Sequence, residues 1–236
     1  MSNWENIVPH VKTFEGGYSA NPNDSAAKNP ANNTGIPLKS GTYKGLPIHT
    51  NKGIIYSTWK SNAKRLVLDS SALAFVNMTT EQWLKFIQVI FWNDALLNKI
   101  NSQSIAELFF ETNWGSGGGG LTWLVKQSQI YLNKLQVAKL VEDGKIGTNT
   151  INAINKFCET KQNEKMLYDF LWFKRLEFLK SLNSWEDFGN GWNNRMIALY
   201  ERAKGFFGSH LTVSIGLIVF IGIFAYIGLK QYAKGL

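Results

Sequence analysis

The sequence is poor in residues that could fix a fold by covalent or metal chemistry: one cysteine, three histidines and five prolines in 236 residues. A single Cys158 excludes an intrachain disulfide and leaves the redox compartment unread, and it is expected to be a small apolar filler. His10, His49 and His210 lack metal-ligand spacing, and loop 143–147 lacks the alternating acids and closing glutamate of a calcium EF-hand, so no metal and no cofactor is expected. No repeat is visible, and low complexity is confined to residues 115–120, GSGGGG. Acidic residues are missing from the C-terminal end: all 17 precede residue 205, after which only Lys230 and Lys234 carry charge.

What is present is enough for a core. Apolar residues make up 44% and aromatics 14%, with nine tryptophans, which excludes a disordered chain. The net charge is +8, and the first 204 residues hold 23 cations against 17 acids, a net +6. A basic surface suits a polyanionic partner such as anionic lipid or a cell wall bearing carboxylates and phosphodiesters. Nucleic acid is not expected as a partner, because no Lys/Arg run is interleaved with aromatics.

Between Lys204 and Lys230 nothing carries a formal charge, and residues 211–229 read LTVSIGLIVFIGIFAYIGL. As a helix these would span roughly 28 Å, close to the ~30 Å of a bilayer's hydrocarbon. Flanking Arg202, Lys204, Lys230 and Lys234, with Phe206, Phe207, Tyr226 and Tyr232, favour a single-pass transmembrane helix, although basic flanks on both sides leave its orientation open. The first twenty residues lack the basic and apolar regions of a signal peptide, so a C-terminal anchor inserted after synthesis is expected.

Ahead of that segment the period is helical. Trp4, Ile7, Val8 and Val11 share one face, as do Trp83, Phe86, Ile87 and Ile90, the latter introduced by a capping box of Thr79 and Gln82. Further helices are predicted over 103–113, 121–135, 148–157, 164–182 and 191–204. Residues 19–50, rich in Asn, Pro, Ser and Gly, form a long irregular excursion with room for a short hairpin. The fold class is mainly α with a small irregular or β excursion.

The chemistry begins where the first helix meets Phe14-Glu15-Gly16-Gly17-Tyr18. The glycine pair stops the helix and leaves Glu15 at the negative end of its dipole, which is expected to raise the carboxyl pKa. Asn21-Pro22-Asn23-Asp24 places a second carboxylate on a turn. Two acids flanking a tight excursion are the minimum for glycoside hydrolysis, one protonating the leaving oxygen and the other serving a water or the oxocarbenium charge.

These residues carry a family resemblance. Phe14-Glu15-Gly16-Gly17-Tyr18 followed by Pro22 and Asp24 resembles the opening of the glycoside hydrolase family 108 muramidases, lysozyme-like enzymes of phages and bacteria. Similar to that family, too, are His49-Thr50-Asn51-Lys52-Gly53-Ile54, Ser57-Thr58-Trp59, Phe91-Trp92-Asn93, Ser102 to Ala106 up to Glu111, and Trp114-Gly115-Ser116-Gly117. Asp143-Gly144-Lys145-Ile146-Gly147 with Thr150 and Ala153 resembles its peptidoglycan-binding lobe, and Gly191-Trp192-Asn193-Asn194-Arg195 its closing motif. One departure is an insertion: residues 25–49 separate Asp24 from Thr50-Asn51, the family's Gly-Gly is missing, and Thr34-Gly35-Ile36 offers a competing match.

The resemblance implies a lysozyme-like catalytic domain over 1–135, a peptidoglycan-binding-like helical lobe over 136–204, and the anchor with a short tail over 205–236. It implies Glu15, Asp24 and Thr50 as catalytic residues, Thr50 orienting the attacking water. It also implies Tyr18, Asn51, Trp59, Asn93, Glu111 and Trp114 as substrate-binding, with Glu111 alternatively a structural carboxylate that bonds the Thr50 loop. Trp59, Trp92 and Trp114 either stack on sugars or pack in the core. Residues 115–120 are either a linker or a close backbone approach to glycan. The implied activity is cleavage of the β-1,4 bond between N-acetylmuramic acid and N-acetylglucosamine. The expected setting is a phage's internal membrane or the host inner membrane, for infection or lysis. Two other readings stay open: a lytic transglycosylase using Glu15 alone, and a non-catalytic wall-binding virion protein.

Overall fold

Asn3 starts the first helix, its side chain accepting the Glu5 N–H at 3.0 Å, and α1 runs Trp4–Phe14 with Trp4, Ile7, Val8 and Val11 buried as their spacing predicts. This computed structural model describes residues 1–208. They fall into two compact units, residues 3–96 and residues 97–208 with Met1–Ser2.

In the first unit the excursion contains a small antiparallel sheet, β1 (Tyr18–Ser19), β2 (Thr50–Asn51) and β3 (Ile54–Ile55), with β2 central. Lys52 and Gly53, both at positive φ (45° and 77°), form the two-residue turn from β2 to β3 that matches strand twist. The Trp83 indole donates to the Lys52 carbonyl at 2.9 Å and fixes that turn. Residues 25–49 are not structureless: two 3-10 turns, Ser25–Lys28 and Pro30–Asn32, lead to a short antiparallel pairing in which Pro37 bridges Pro47 and the Leu38 N–H donates to the Leu46 carbonyl at 2.9 Å. The excursion closes on itself where the Ile48 carbonyl accepts from Thr34 N–H (3.3 Å) and the Ser19 carbonyl accepts from His49 N–H (3.0 Å).

After the sheet come α2 (Tyr56–Asn62), α3 (Ala72–Val76) and α4 (Thr80–Ile87), α4 carrying the predicted Thr79/Gln82 capping box. A π-helical turn, Gln88–Asn93, continues α4. The core here is aromatic: Trp59 stacks on Phe86 at 5.2 Å and lies 6.1 Å from Phe75, and Trp4 meets Trp92 edge-on at 5.9 Å.

The second unit is built on α5 (Gln103–Lys134), α6 (Thr148–Phe157), α7 (Lys161–Lys180) and α8 (Trp185–Phe207), with α7 packed on both α5 and α8. The two helices predicted at 103–113 and 121–135 are both present within α5, and they meet at Gly117, whose φ 64° and ψ −173° are not helical, so the chain kinks inside residues 115–120. α8 starts ahead of the expected residue 191 because Trp185 packs against Gly189, whose missing Cβ makes room for the indole.

Buried carboxylates tie these helices together. Glu107 on α5 receives Arg202 of α8 through Nε (2.7 Å) and Nη2 (3.0 Å), and Glu111 one turn later pairs with Arg195. Glu164 of α7 accepts from Ser102, Ser104 and Lys161, each at 2.8 Å. Among the described residues no helix is long and apolar enough to cross a membrane; the expected span at 211–229 lies outside them.

Gly144 has the least room for change. It sits at φ +73°, and a Cβ there would collide with the Thr122 carbonyl and lie 2.7 Å from its Cγ2. Gly144→Ala is therefore expected to cost about 2–4 kcal/mol, lowering the thermal midpoint by roughly 2–4 °C per kcal/mol. An unchanged midpoint by circular dichroism would show that the loop yields instead.

Candidate functional site

Glu15 is the C-terminal cap of α1: its backbone has left the helix (φ −91°, ψ 122°) while its N–H still reaches the Val11 carbonyl at 3.1 Å. The side chain is half-buried at the negative helix end. Gly16 and Gly17 are exposed, and a Cβ on either would meet nothing within 4 Å. Neither has positive φ, so no strained backbone demands glycine; the missing side chains leave open space beside Glu15, as a bulky polymer substrate requires.

Strand pairing sets the chain just after Glu15 in register with Thr50. Tyr18 pairs with Asn51 and Ser19 with Thr50, and the Gly17 carbonyl accepts from Lys52 N–H at 3.0 Å. Five residues beyond β1, Asp24 caps the first 3-10 turn, its Oδ1 accepting from Ala26 N–H at 2.9 Å. Its own N–H donates to the Asn21 carbonyl at 3.1 Å. Glu15, Asp24 and Thr50 are thus all carried by the Asn3–Leu96 unit, all half-buried.

The remaining expected residues divide by exposure. Tyr18 is 48% exposed and donates from its hydroxyl to the Val76 carbonyl at 2.8 Å, which leaves its ring accessible. Asn51 is buried, and its amide donates to the carbonyls of Phe75 (2.7 Å) and Val76 (3.3 Å), so it holds β2 to the end of α3 instead of meeting a sugar. Trp59 is 1% exposed, and its indole donates to Asp69 O at 3.1 Å. With Phe75 and Phe86 against its ring it offers no face to glycan, so of the two readings, sugar stacking and core, it takes the core. Trp92 is buried likewise, and Asn93 at the end of the π turn is exposed.

Glu111 and Trp114 belong to the other unit. Glu111 is buried and ion-paired with Arg195, and Trp114 stacks on Phe110 at 6.4 Å with 8% exposure. A small pocket of about 60 Å³ lies among Glu111, Arg175, Trp192 and Arg195. Burial pulls the Arg175 guanidinium down to about 10 against the upward pull of Glu111. A larger pocket of about 310 Å³ lies along the loop that resembles a wall-binding lobe, bordered by Gln129, Lys139, Asp143, Lys145 and Thr148. Asp143 is held below the usual carboxylate range, first by the Lys145 N–H and then by the Gln129 amide.

The sequence reading weighed the histidine beside Thr50 as a metal ligand and quoted it within the resembling motif, but gave it no role at the site. His49 is 3% exposed; its Nδ1 lies 2.8 Å from Thr50 Oγ1 and its Nε2 3.3 Å from the Asn21 carbonyl. The partners of Glu107 and Glu111 were missed as well, although two acids one turn apart on a mostly apolar helix are a signal for buried pairing. Cys158 ends α6, and burial pushes its thiol up to about 12, which removes it as a nucleophile at neutral pH. Among the described residues no three of His, Cys, Asp and Glu converge as metal donors.

No curated protein sequence matches the chain. The solved structure of SagA from Brucella abortus is similar in fold, with a TM-score of 0.60 over 87% of this chain and 96% of that one at 22% identity. Residues 8–117 match the family model for glycosyl hydrolase 108, a stretch that holds Glu15, Asp24, Thr50 and Glu111. The match to that model supports a glycoside hydrolase, an enzyme of the muramidase-like kind.

Proposed function

We propose that the chain is an N-acetylmuramidase that hydrolyses the β-1,4 bond between N-acetylmuramic acid and N-acetylglucosamine in bacterial peptidoglycan. The observation that carries this reading is the placement of Glu15 at an open helix end, four residues ahead of the Ser19 that pairs with Thr50 and on the same unit as the Asp24 turn. Glu15 donates its proton to the leaving glycosidic oxygen as the C1–O bond breaks. A water adds its oxygen to C1 and passes a proton to the Asp24 carboxylate, with the Thr50 hydroxyl holding that water. Tyr18, with its ring exposed at the start of β1, and Asn93 are the outer contacts to the glycan. The basic surface, sequence pI about 9.4, favours approach to an anionic wall.

The setting is part of the same proposal. Residues 211–229 anchor the enzyme in a bilayer, either a virion's internal membrane for infection or the host inner membrane for lysis. α8 ends at Phe207, and only Gly208, Ser209 and His210 separate it from Leu211 in sequence, so such an anchor would keep the domain near the lipid surface and its action on nearby wall.

The chemistry is tested by mass spectrometry of digested peptidoglycan. Reducing N-acetylmuramic acid ends are expected; 1,6-anhydro ends would mean transglycosylase chemistry, and no product would mean a wall-binding protein. Glu15→Gln should keep the fold and lower lysis by roughly two to four powers of ten, the usual contribution of a placed general acid. Substantial activity in that folded variant would sink the assignment. Asp24→Asn should also cost a hydrolase heavily, and a harmless substitution accompanied by anhydro products would favour the transglycosylase.

Anchoring is tested by flotation with liposomes. The full chain should float with the lipid, and a chain ending at residue 208 should stay behind while still releasing muropeptides. A full chain that remains soluble without lipid or detergent would refute the anchor.

A further inference from the structure

We infer that His49 is a positioning residue for hydrolysis, fixing the direction of the Thr50 hydroxyl and the spacing between Thr50 and the Asp24 turn; this inference rests on the muramidase reading. The imidazole is buried between two partners of different kind. On one side is the Asn21 carbonyl, which can only accept a hydrogen bond, so the proton of the neutral ring sits on Nε2. Nδ1 is then a lone-pair acceptor, and the bond to Thr50 at 2.8 Å is one in which the Thr50 hydroxyl donates.

That direction matters for the water. With its only proton committed to His49, Thr50 Oγ1 turns lone pairs toward anything else it meets, and it receives a hydrogen from the water instead of giving one. A water that donates one hydrogen to Thr50 and the other to the Asp24 carboxylate has its own lone pair left for the anomeric carbon. If Nδ1 carried the proton, Thr50 would have to accept from the ring, its hydroxyl hydrogen would face the water, and the water's lone pair would be occupied. The step still balances without His49 taking a proton: the water's proton goes to Asp24, the Glu15 proton goes to the leaving oxygen, and the imidazole keeps one tautomer throughout.

The same ring sets distance. The Asn21 carbonyl that accepts from His49 also accepts the Asp24 N–H at 3.1 Å, so a chain of bonds runs from Thr50 Oγ1 through the imidazole to the backbone of Asp24. The His49 backbone is itself fixed, with its N–H donating to Ser19 O and its carbonyl accepting from Tyr56 N–H, both at 3.0 Å. The insertion at 25–49 therefore ends in the residue that restores the spacing the insertion would otherwise loosen. Misplacement of a reacting group by about 1 Å can cost on the order of 100-fold in rate, so a side chain that holds this spacing has a large effect without touching substrate.

The experiment uses the full chain in three forms: native, His49→Leu and His49→Asn. Asparagine can present an acceptor near the position of Nδ1, and leucine cannot. On a soluble oligomer of alternating N-acetylglucosamine and N-acetylmuramic acid, His49→Leu is expected to lower kcat roughly 10- to 100-fold with KM little changed, and His49→Asn to recover most of the loss. Long-range proton–nitrogen NMR of the native chain is expected to show His49 protonated on Nε2 and bare on Nδ1, a readout that stands even if His49→Leu fails to fold. A folded His49→Leu protein with native kcat, or an Nδ1-protonated ring, overturns the inference while native activity leaves the muramidase reading standing. A native chain that releases no muropeptide overturns both.

Discussion

The pairing of Ser19 with Thr50 is the constraint on which the candidate site depends. It joins the end of α1 to the far side of a long excursion, and it does so with strands of two residues each, too short to be stable alone. Side chains from outside the sheet hold it: the Tyr18 hydroxyl and the Asn51 amide grip the end of α3, and the Trp83 indole pins the turn at Lys52. Since each of those bonds ends on a backbone carbonyl, the sheet is located by main chain, which moves little when side chains repack. The candidate site borrows its rigidity from the aromatic core beneath α2, α3 and α4.

How far this was legible in the sequence depends on the range of the interactions. Helical faces around Trp4 and Trp83, the Thr79 capping box and the whole of α6 are local, and periodicity alone located them. The end of α1 at Glu15 was legible because two glycines come directly after it. His49 was opaque because its role comes from Asn21, 28 residues away, which no spacing rule connects. Trp59 was ambiguous for a general reason: tryptophan serves sugar binding and cores equally, and only the rings of Phe75 and Phe86 around it decide. The glycine run at 115–120 read as a break because glycine lowers helix propensity, and Gly117 does leave helical geometry there, dividing α5 into two helices end to end.

The second unit is organised by charge as much as by apolar burial. Glu107 and Glu111, four residues apart on α5, meet Arg202 and Arg195, seven apart on α8 and in reverse order. Buried ion pairs add little net stability over apolar replacements, because desolvation offsets attraction. What two such pairs do specify is the axial register of antiparallel helices: a slide of one turn would leave a carboxylate and a guanidinium facing apolar neighbours. A net-basic chain thus keeps several of its acids inside, each already matched.

The closed neck of the excursion decides which part of it can change length. Ser19 and His49 meet at its base, Thr34 meets Ile48 just above, and Asn32 ties its first arm to Ala26 and Ser57. Residues between Gly35 and Pro47 hang beyond those closures, and the entropy of closing a loop rises by only about 0.6 kcal/mol for each doubling of its length. That tip can be lengthened or shortened at little cost in stability, while Ser19, Asn32, Thr34 and His49 hold the neck beneath it. The excursion is thereby divided into a pinned neck next to Thr50 and the Asp24 turn, and a tip held by its own Pro37–Pro47 pairing, which can change length without disturbing the neck.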